Sequence, residues 1–409
     1  MFMIWPQLNY KLCLMNKKYY CLLLFVVQLL FSCANNCGEI VGNADVLDIS
    51  NPKQVTLGEV FSELEVIRMD AGTQSFFPEA KYVLLCGDKY VFADWKRKVY
   101  VFDKNGHFIS SSKSVEGKGH GEYIITMGST YNPYSNNIEI ITPLNLMFYD
   151  MNFKFIKSVP LPAELPNESN NNHAQLFDYI YDLSDHLHIL ISSSDVRGQC
   201  INTLFIFDSD KQEVIKKISF DEDVMGYNTA QAFPFLDYEN GELLFFPPRY
   251  SKYVYKFDKD NLELQRFISF NYGDEFYTAE DLTPILHEED SKKYFDFLEN
   301  NYKRSPLRFS YDKGRYFIFV DSEKDLHDSY MLIVDTKANT VKSLPFAKDG
   351  GFQFGPHSFV ADNMLYLALE SEPADSLIAA FPGKVTEINK YKADSTVNDN
   401  IAVLKYHLK

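Results

Sequence analysis

Cysteine is scarce in this chain and tryptophan scarcer, and no apolar stretch reaches the length that crosses a bilayer. The six cysteines are Cys13, Cys21, Cys33, Cys37, Cys86 and Cys200. They form neither a CxxC pair nor a Cys/His cluster of zinc spacing. The three thiols beyond Cys33 are too scattered for a disulfide framework. GxSxG, HExxH and P-loop motifs are also missing, which removes the familiar hydrolase, zinc-protease and nucleotide signatures. The apolar core LLLFVVQLLF, residues 22–31, is short of the roughly 20 residues a spanning helix needs. Basic charge is in short supply too, with 40 Lys and Arg against 56 Asp and Glu and a net charge of −16. The only charged residues among the first 33 are Lys11, Lys17 and Lys18, so the remainder is more acidic still. Such a surface repels phosphate backbones and argues against nucleic acid as a partner.

Aromatic residues are plentiful: 27 Tyr and 34 Phe, which suit strands packed on both faces. A turn rich in Asp, Asn or Gly recurs six times, each followed by an apolar β-like run. The runs are KYVFADW from Lys89, NIEIITP from Asn137, HLHILIS from His186, ELLFFPP from Glu242, RYFIFVD from Arg315 and MLYLALE from Met364. Successive starts lie 48, 49, 56, 73 and 49 residues apart. A period near 50 residues of β structure is the mark of a radial or stacked repeat array. In five units a second hairpin follows, its first strand closed by Asp103, Asp150, Asp208, Asp258 or Asp335. Aspartate suits this place because its carboxylate accepts hydrogen bonds from turn amides. The reading is therefore all-β: a six-bladed β-propeller with four-stranded antiparallel blades. The sixth unit is incomplete after Met364–Glu370. IAVLKYHL from Ile401 reads as its third strand, and VFSELEVIRM from Val60 as its outermost. Joining the two chain ends in one blade closes the ring and removes an exposed edge.

The long fourth spacing calls for a helical insertion over 274–304, between blades four and five. Thr278 with Asp281 makes an N-cap pair, and Ser291 starts a second helix. A further short helix is expected around Val385–Lys392.

The N-terminus reads as an export signal: Lys17 and Lys18, the apolar core, then Ser32-Cys33. Leu30-Phe31-Ser32-Cys33 resembles a bacterial lipobox, in which Cys33 is diacylated and becomes the mature first residue. Met15 reads as a more natural start than Met1. The expected organisation is a lipoprotein signal over 1–33, a flexible tether over 34–54 and the propeller over 55–409.

The block GDKYVFADWKRKVYVFDKNGHFISSSKSVEGKGHGEYIITM, residues 87–127, looks like an NHL-type repeat. It also resembles the six-bladed propeller lipoproteins of unknown function from gut anaerobic Gram-negative bacteria. The shared elements are Ala93-Asp94, Phe102-Asp103, Gly106 and the loop Gly117-Lys118-Gly119-His120-Gly121-Glu122-Tyr123, where His120 stands in place of the usual proline. The resemblance implies the fold and a lipid-anchored place in the cell envelope, at the outer membrane facing periplasm or surface. Gly117-x-Gly119-x-Gly121 is no dinucleotide fingerprint, because a β-like run follows where a helix is required. Positive φ at the blade crossover explains the glycines, and Tyr123 reads as interblade packing.

Candidate chemistry is sparse. His186 and His188 stand two apart on a strand, so they share a face and are weak candidates for a metal; no metal or cofactor is otherwise expected. Asp94 and Trp95 end a leading strand near the channel rim, where a lone ring can stack on a sugar or simply pack. The leading expectation is a lipid-anchored module that binds or scaffolds a protein or glycan partner. The alternative is a metal-assisted hydrolase or lyase at the mouth of the axial channel.

Overall fold

Six groups of four antiparallel strands succeed one another in a computed structural model that describes residues 37–38, 44–72, 74–77, 80–94, 96–162, 177–192, 195–196, 199–200, 203–219, 235–246, 253–278, 281, 291–301, 303–322, 329–345, 358–389 and 400–409. The chain divides into two compact units, Met1–Cys37 and Gly38–Lys409. The signal segment, with Cys33, lies outside the described residues, and all six blades belong to the second unit.

Blade one comprises Ala80–Cys86, Lys89–Asp94, Val99–Asp103 and Phe108–Ser111. Blade two is built from Gly128–Asn132, Asn137–Ile141, Asn145–Tyr149 and Phe155–Pro160. Phe177–Asp182, Leu187–Ser192, Thr203–Asp208 and Glu213–Ser219 make blade three. Blade four uses Phe235–Asp237, Leu243–Phe245, Tyr253–Asp258 and Glu263–Asn271. Arg304–Asp312, Arg315–Ser322, Tyr330–Asp335 and Thr340–Pro345 form blade five. Blade six draws on both chain ends: Ser358–Ala361, Met364–Leu369, then Ala402–Leu408, then Phe61–Arg68 as its fourth strand. Val403 pairs with Ile67 and Leu365 with Tyr406, both antiparallel, so the expected closure is present.

The core comprises six clusters, one at each seam between neighbouring blades. Period-two geometry explains this, since successive side chains point to opposite faces of a blade. Tyr90 and Phe92 pack toward blade six while Val91 packs toward blade two. Both faces are buried, so the strands read as continuous apolar runs rather than alternating ones.

The five aspartates act as expected. Each Oδ1 accepts two backbone N–H groups of the following turn, at 2.8–3.1 Å. Turn amides that would otherwise lack partners are thereby satisfied.

Two features differ from expectation, and a third agrees with it. Residues 45–54, expected within a tether, run along the ring's outer wall instead. Asp45–Asp48 pairs in parallel with Glu263–Asn271, and Lys53–Gln54 with Thr340–Pro345. Ile49 and Val55 anchor this strap by burying into the seams on either side of blade five. The outermost strand of a blade leaves backbone groups unpaired, and the strap satisfies them. Second, Lys384–Ile388 is a strand, not a helix; it pairs in parallel with the outer edge of Phe61–Arg68. The helix of this region is Ser371–Ala380, with Ala374 and Leu377 buried at helical spacing and Pro373 in the first turn, where no N–H is required. Third, of the 274–304 insertion, the helix Ser291–Asn300 is present. Thr278 and Asp281 exchange backbone-to-side-chain bonds at 2.8 and 3.2 Å. Residues 282–290 lie outside the described set. Among the described residues, no helix is long and apolar enough to cross a membrane.

Candidate functional site

An even number of antiparallel strands per blade returns the chain to the same end of the ring every time. Turns joining first to second and third to fourth strands therefore share one face. They are short, as at 87–88, 313–314 and 362–363. Connections from second to third strand, and from blade to blade, leave and re-enter on the opposite face. Most of these are long, as at 112–127, 220–234, 272–303 and 370–401, while 95–98 and 142–144 are short. The ring thus has a tight-turn face and a long-loop face, and loops held by a rigid scaffold are where binding residues concentrate.

Asp94 opens the second-to-third connection of blade one, on the long-loop face, and is buried. Its Oδ1 accepts the Lys98 N–H at 2.9 Å, and its Oδ2 accepts the Tyr100 hydroxyl at 3.1 Å. Both oxygens thus shape the loop. Trp95 lies outside the described residues. The glycine-rich loop is held by Glu122, whose Oε2 accepts the Gly119 N–H at 2.8 Å. A Cβ on Gly117 would collide with that carboxylate. Gly121 has φ +76° and faces the Phe155 ring; of the three glycines it alone needs positive φ. Tyr123 is buried in the seam between blades one and two, as expected. Just beyond it Ile124 and Ile125 are 66% and 58% exposed, and Leu144, on the next second-to-third turn, is 70% exposed. Thr126 donates its hydroxyl to the Ile141 carbonyl at 3.2 Å, tying this stretch to the blade-two strand that leads into the Leu144 turn.

The two histidines are not brought together. His186 precedes its strand and turns Nδ1 to Asp185 at 2.7 Å in a partly exposed turn. His188 is fully buried, with Nδ1 2.7 Å from Asp182 Oδ1 and 3.2 Å from Glu139 Oε2. Its Nε2 lies 3.1 Å from Ser209 Oγ, whose hydroxyl donates to the His186 carbonyl at 3.1 Å. Asn132 Nδ2 donates to Glu139 Oε1 at 2.8 Å and to the Ser184 carbonyl at 2.9 Å. Among the described residues, Glu139, Asp182 and His188 are the one group of three or more potential metal ligands, with ligand atoms within 4.8 Å of one another. Burial, then the Glu139 charge, pushes the Asp182 carboxyl up to about 7. Burial opposes charging of His188, but the adjacent Asp182 and Glu139 carboxylates prevail and raise it to about 9.

Glu139 and Asp182 were not apparent from the sequence. The signal lay in the repeat itself. Where a second strand faces the following blade, the column reads Val91, Glu139, Ile189, Leu244, Phe317, Tyr366. The adjacent column, facing the preceding blade, reads Tyr90, Ile138, His188, Leu243, Tyr316, Leu365. Five seams join apolar members of these columns in a common cluster: Val91 with Ile138, Ile189 with Leu243, Leu244 with Tyr316, Phe317 with Leu365, and Tyr366 with Tyr90. At the sixth seam, between blades two and three, the pair is Glu139 with His188.

The family model described as "Domain of unknown function (DUF4934)" matches residues 41–407. The chain belongs to that family. Solved structures carry the same fold. A candidate exported protein of Bacteroides fragilis NCTC 9343 superposes with TM-score 0.60 at 14% identity, covering 89% of this chain and 99% of that one. A DUF4221 member from Bacteroides vulgatus ATCC 8482 gives TM-score 0.54 at 11% identity, covering 86% and 98%. No curated protein matches the chain in sequence.

Proposed function

We propose that this family member is a lipid-anchored β-propeller of the cell envelope, with NHL-like repeats, that uses its long-loop face to bind or scaffold a protein or glycan. The observation that carries the reading is the asymmetry between the faces. Irregular connections and the exposed Ile124, Ile125 and Leu144 gather on one side, and tight turns fill the other. Among the described residues the exposed apolar side chains of this face are aliphatic, which favours a protein partner, since sugars are held by stacking on rings. Anchoring rests on the lipobox at Cys33, and an exported B. fragilis neighbour is consistent with an envelope location. Metal-assisted hydrolysis at the channel mouth draws no support from Glu139, Asp182 and His188, which are buried where no substrate reaches.

The test is affinity capture from envelope fractions, paired with a glycan-binding screen. Ile124→Lys/Ile125→Lys/Leu144→Lys should abolish capture of the partner, whereas Tyr134→Lys on the tight-turn face should leave it intact. Capture that survives the triple variant and fails with Tyr134→Lys would place the surface on the wrong side. Cys33→Ser should move the protein from the membrane pellet to the soluble fraction, and retention in the pellet would refute the anchor.

A further inference from the structure

We propose that Glu139, Asp182 and His188 hold a divalent metal ion, of the zinc type, that staples blades two and three together. The inference does not depend on the partner-binding reading above.

The donor set fits such an ion. It offers one imidazole nitrogen and two carboxylates, brought from the second strand of blade two and the first hairpin of blade three. Two of the three donors, His188 and Glu139, are oriented from behind, as metal ligands usually are. Ser209 spends its hydroxyl hydrogen on the His186 carbonyl, so its oxygen accepts from Nε2–H, and Nδ1 is left facing the carboxylates. Asn132 holds Glu139 by Oε1, and the turn amides of Tyr134 and Ser135 hold Asn132 in turn.

Two oxygens of the cluster remain without a hydrogen bond: Glu139 Oε2 and Asp182 Oδ2, both fully buried. Oε2 sits 3.2 Å from Nδ1, yet a single ring hydrogen directed at Asp182 cannot serve both. A proton on Nδ1 therefore satisfies one oxygen and strands two, and buried orphan acceptors are costly. A cation inside the triangle satisfies all of them. It also cancels the charge excess of two carboxylates over one imidazole in a spot closed to water. Nδ1, Oε2 and the two Asp182 oxygens supply four donors, the number a closed structural zinc site uses, at bond lengths near 2.0–2.2 Å after small side-chain shifts. Calcium and magnesium fit poorly, because they require six or more oxygens or retained waters. The ion's place is a seam position that the other five junctions fill with apolar pairs, which assigns it a structural role.

The experiment uses the untagged full chain, expressed with zinc supplied and purified without chelator. Elemental analysis should find about one zinc per chain. Removing it with dipicolinate should lower the melting temperature, and zinc chloride should restore it. Cobalt substitution should give the visible absorption of a four-coordinate ion, a readout independent of any variant. Glu139→Gln should weaken zinc binding at least about tenfold and erase the chelator effect, while His186→Ala changes neither. Zinc below about 0.1 equivalent in the wild-type chain, with a melting temperature indifferent to chelator, would overturn the proposal in favour of a protonated cluster. Full zinc occupancy in both Glu139→Gln and Asp182→Asn would overturn it as well.

Discussion

Five seams of this propeller are joined by apolar side chains at the level where the sixth, between blades two and three, sets Glu139 and Asp182 against His188. Blade topology is the same at all six, and the second-strand positions compared face their seams in the same direction. Stability therefore does not demand the polar set, because the neighbouring seams manage with Val91 and Ile138 or Leu244 and Tyr316. A buried ionic cluster is in general no more stabilising than apolar groups of similar volume, while losing one member of it is severe. The comparison marks the polar seam as a place where sequence departs from the fold's own rule, and such departures concentrate at sites with a job beyond folding.

The largest expected effect comes from breaking a closure all seams share. Deleting residues 400–409 removes Ala402–Leu408 from between two strands of blade six and should abolish the folded state, seen as loss of the cooperative transition by circular dichroism. A folded truncation would show that the ring does not depend on its terminal strand.

Next is the polar seam itself. His188→Ala in metal-stripped protein leaves two buried carboxylates facing each other and should cost about 3–5 kcal/mol in denaturant unfolding. At an apolar seam, Leu243→Ala should cost about 2–5 kcal/mol through transfer and cavity formation. Converting the odd seam into its neighbours' kind, by Glu139→Val/Asp182→Leu/His188→Ile, should be neutral or gain about 1–4 kcal/mol in chelator. A large loss there would mean the polar cluster itself is what holds the two blades.

The strap sets a smaller contrast, between a ring and what is wrapped around it. Ile49→Ala should cost about 2 kcal/mol, near the low end for such truncations, because a peripheral strand can shift to fill the gap. Removing residues 44–54 should leave the six blades folded at a lower melting temperature. Smallest of all, Asp150→Ala should cost about 1 kcal/mol, the worth of turn hydrogen bonds near solvent.

The contrast also separates what the residues reveal by themselves from what only the fold reveals. Blade number, leading strands and ring closure were legible because they rest on period and composition, which Tyr, Phe and the turn aspartates carry redundantly. The strap was not, because Asp45-Val46-Leu47-Asp48 and Lys53-Gln54 are short, polar pieces whose pairing depends on a distant edge. Val385–Lys392 misled because so short a run does not separate helix from strand. The paired histidines misled through a register difference of one: blade three begins its second strand at Leu187, so His186 falls in the turn while His188 enters the seam. The Glu139–Asp182–His188 cluster became visible only once facing directions were known, since its members lie in three separate strands. Had the repeats been aligned by facing direction, the single Glu in Ile138-Glu139-Ile140 would have stood out as a charge in an apolar column.

The most direct measurement compares the wild-type chain with the Glu139→Val/Asp182→Leu/His188→Ile chain by thermal unfolding, each in dipicolinate and in zinc chloride. The wild type should melt several degrees higher with zinc, while the apolar-seam chain melts at one temperature in both. Two chains that respond alike, or a wild type that does not respond, would contradict the account.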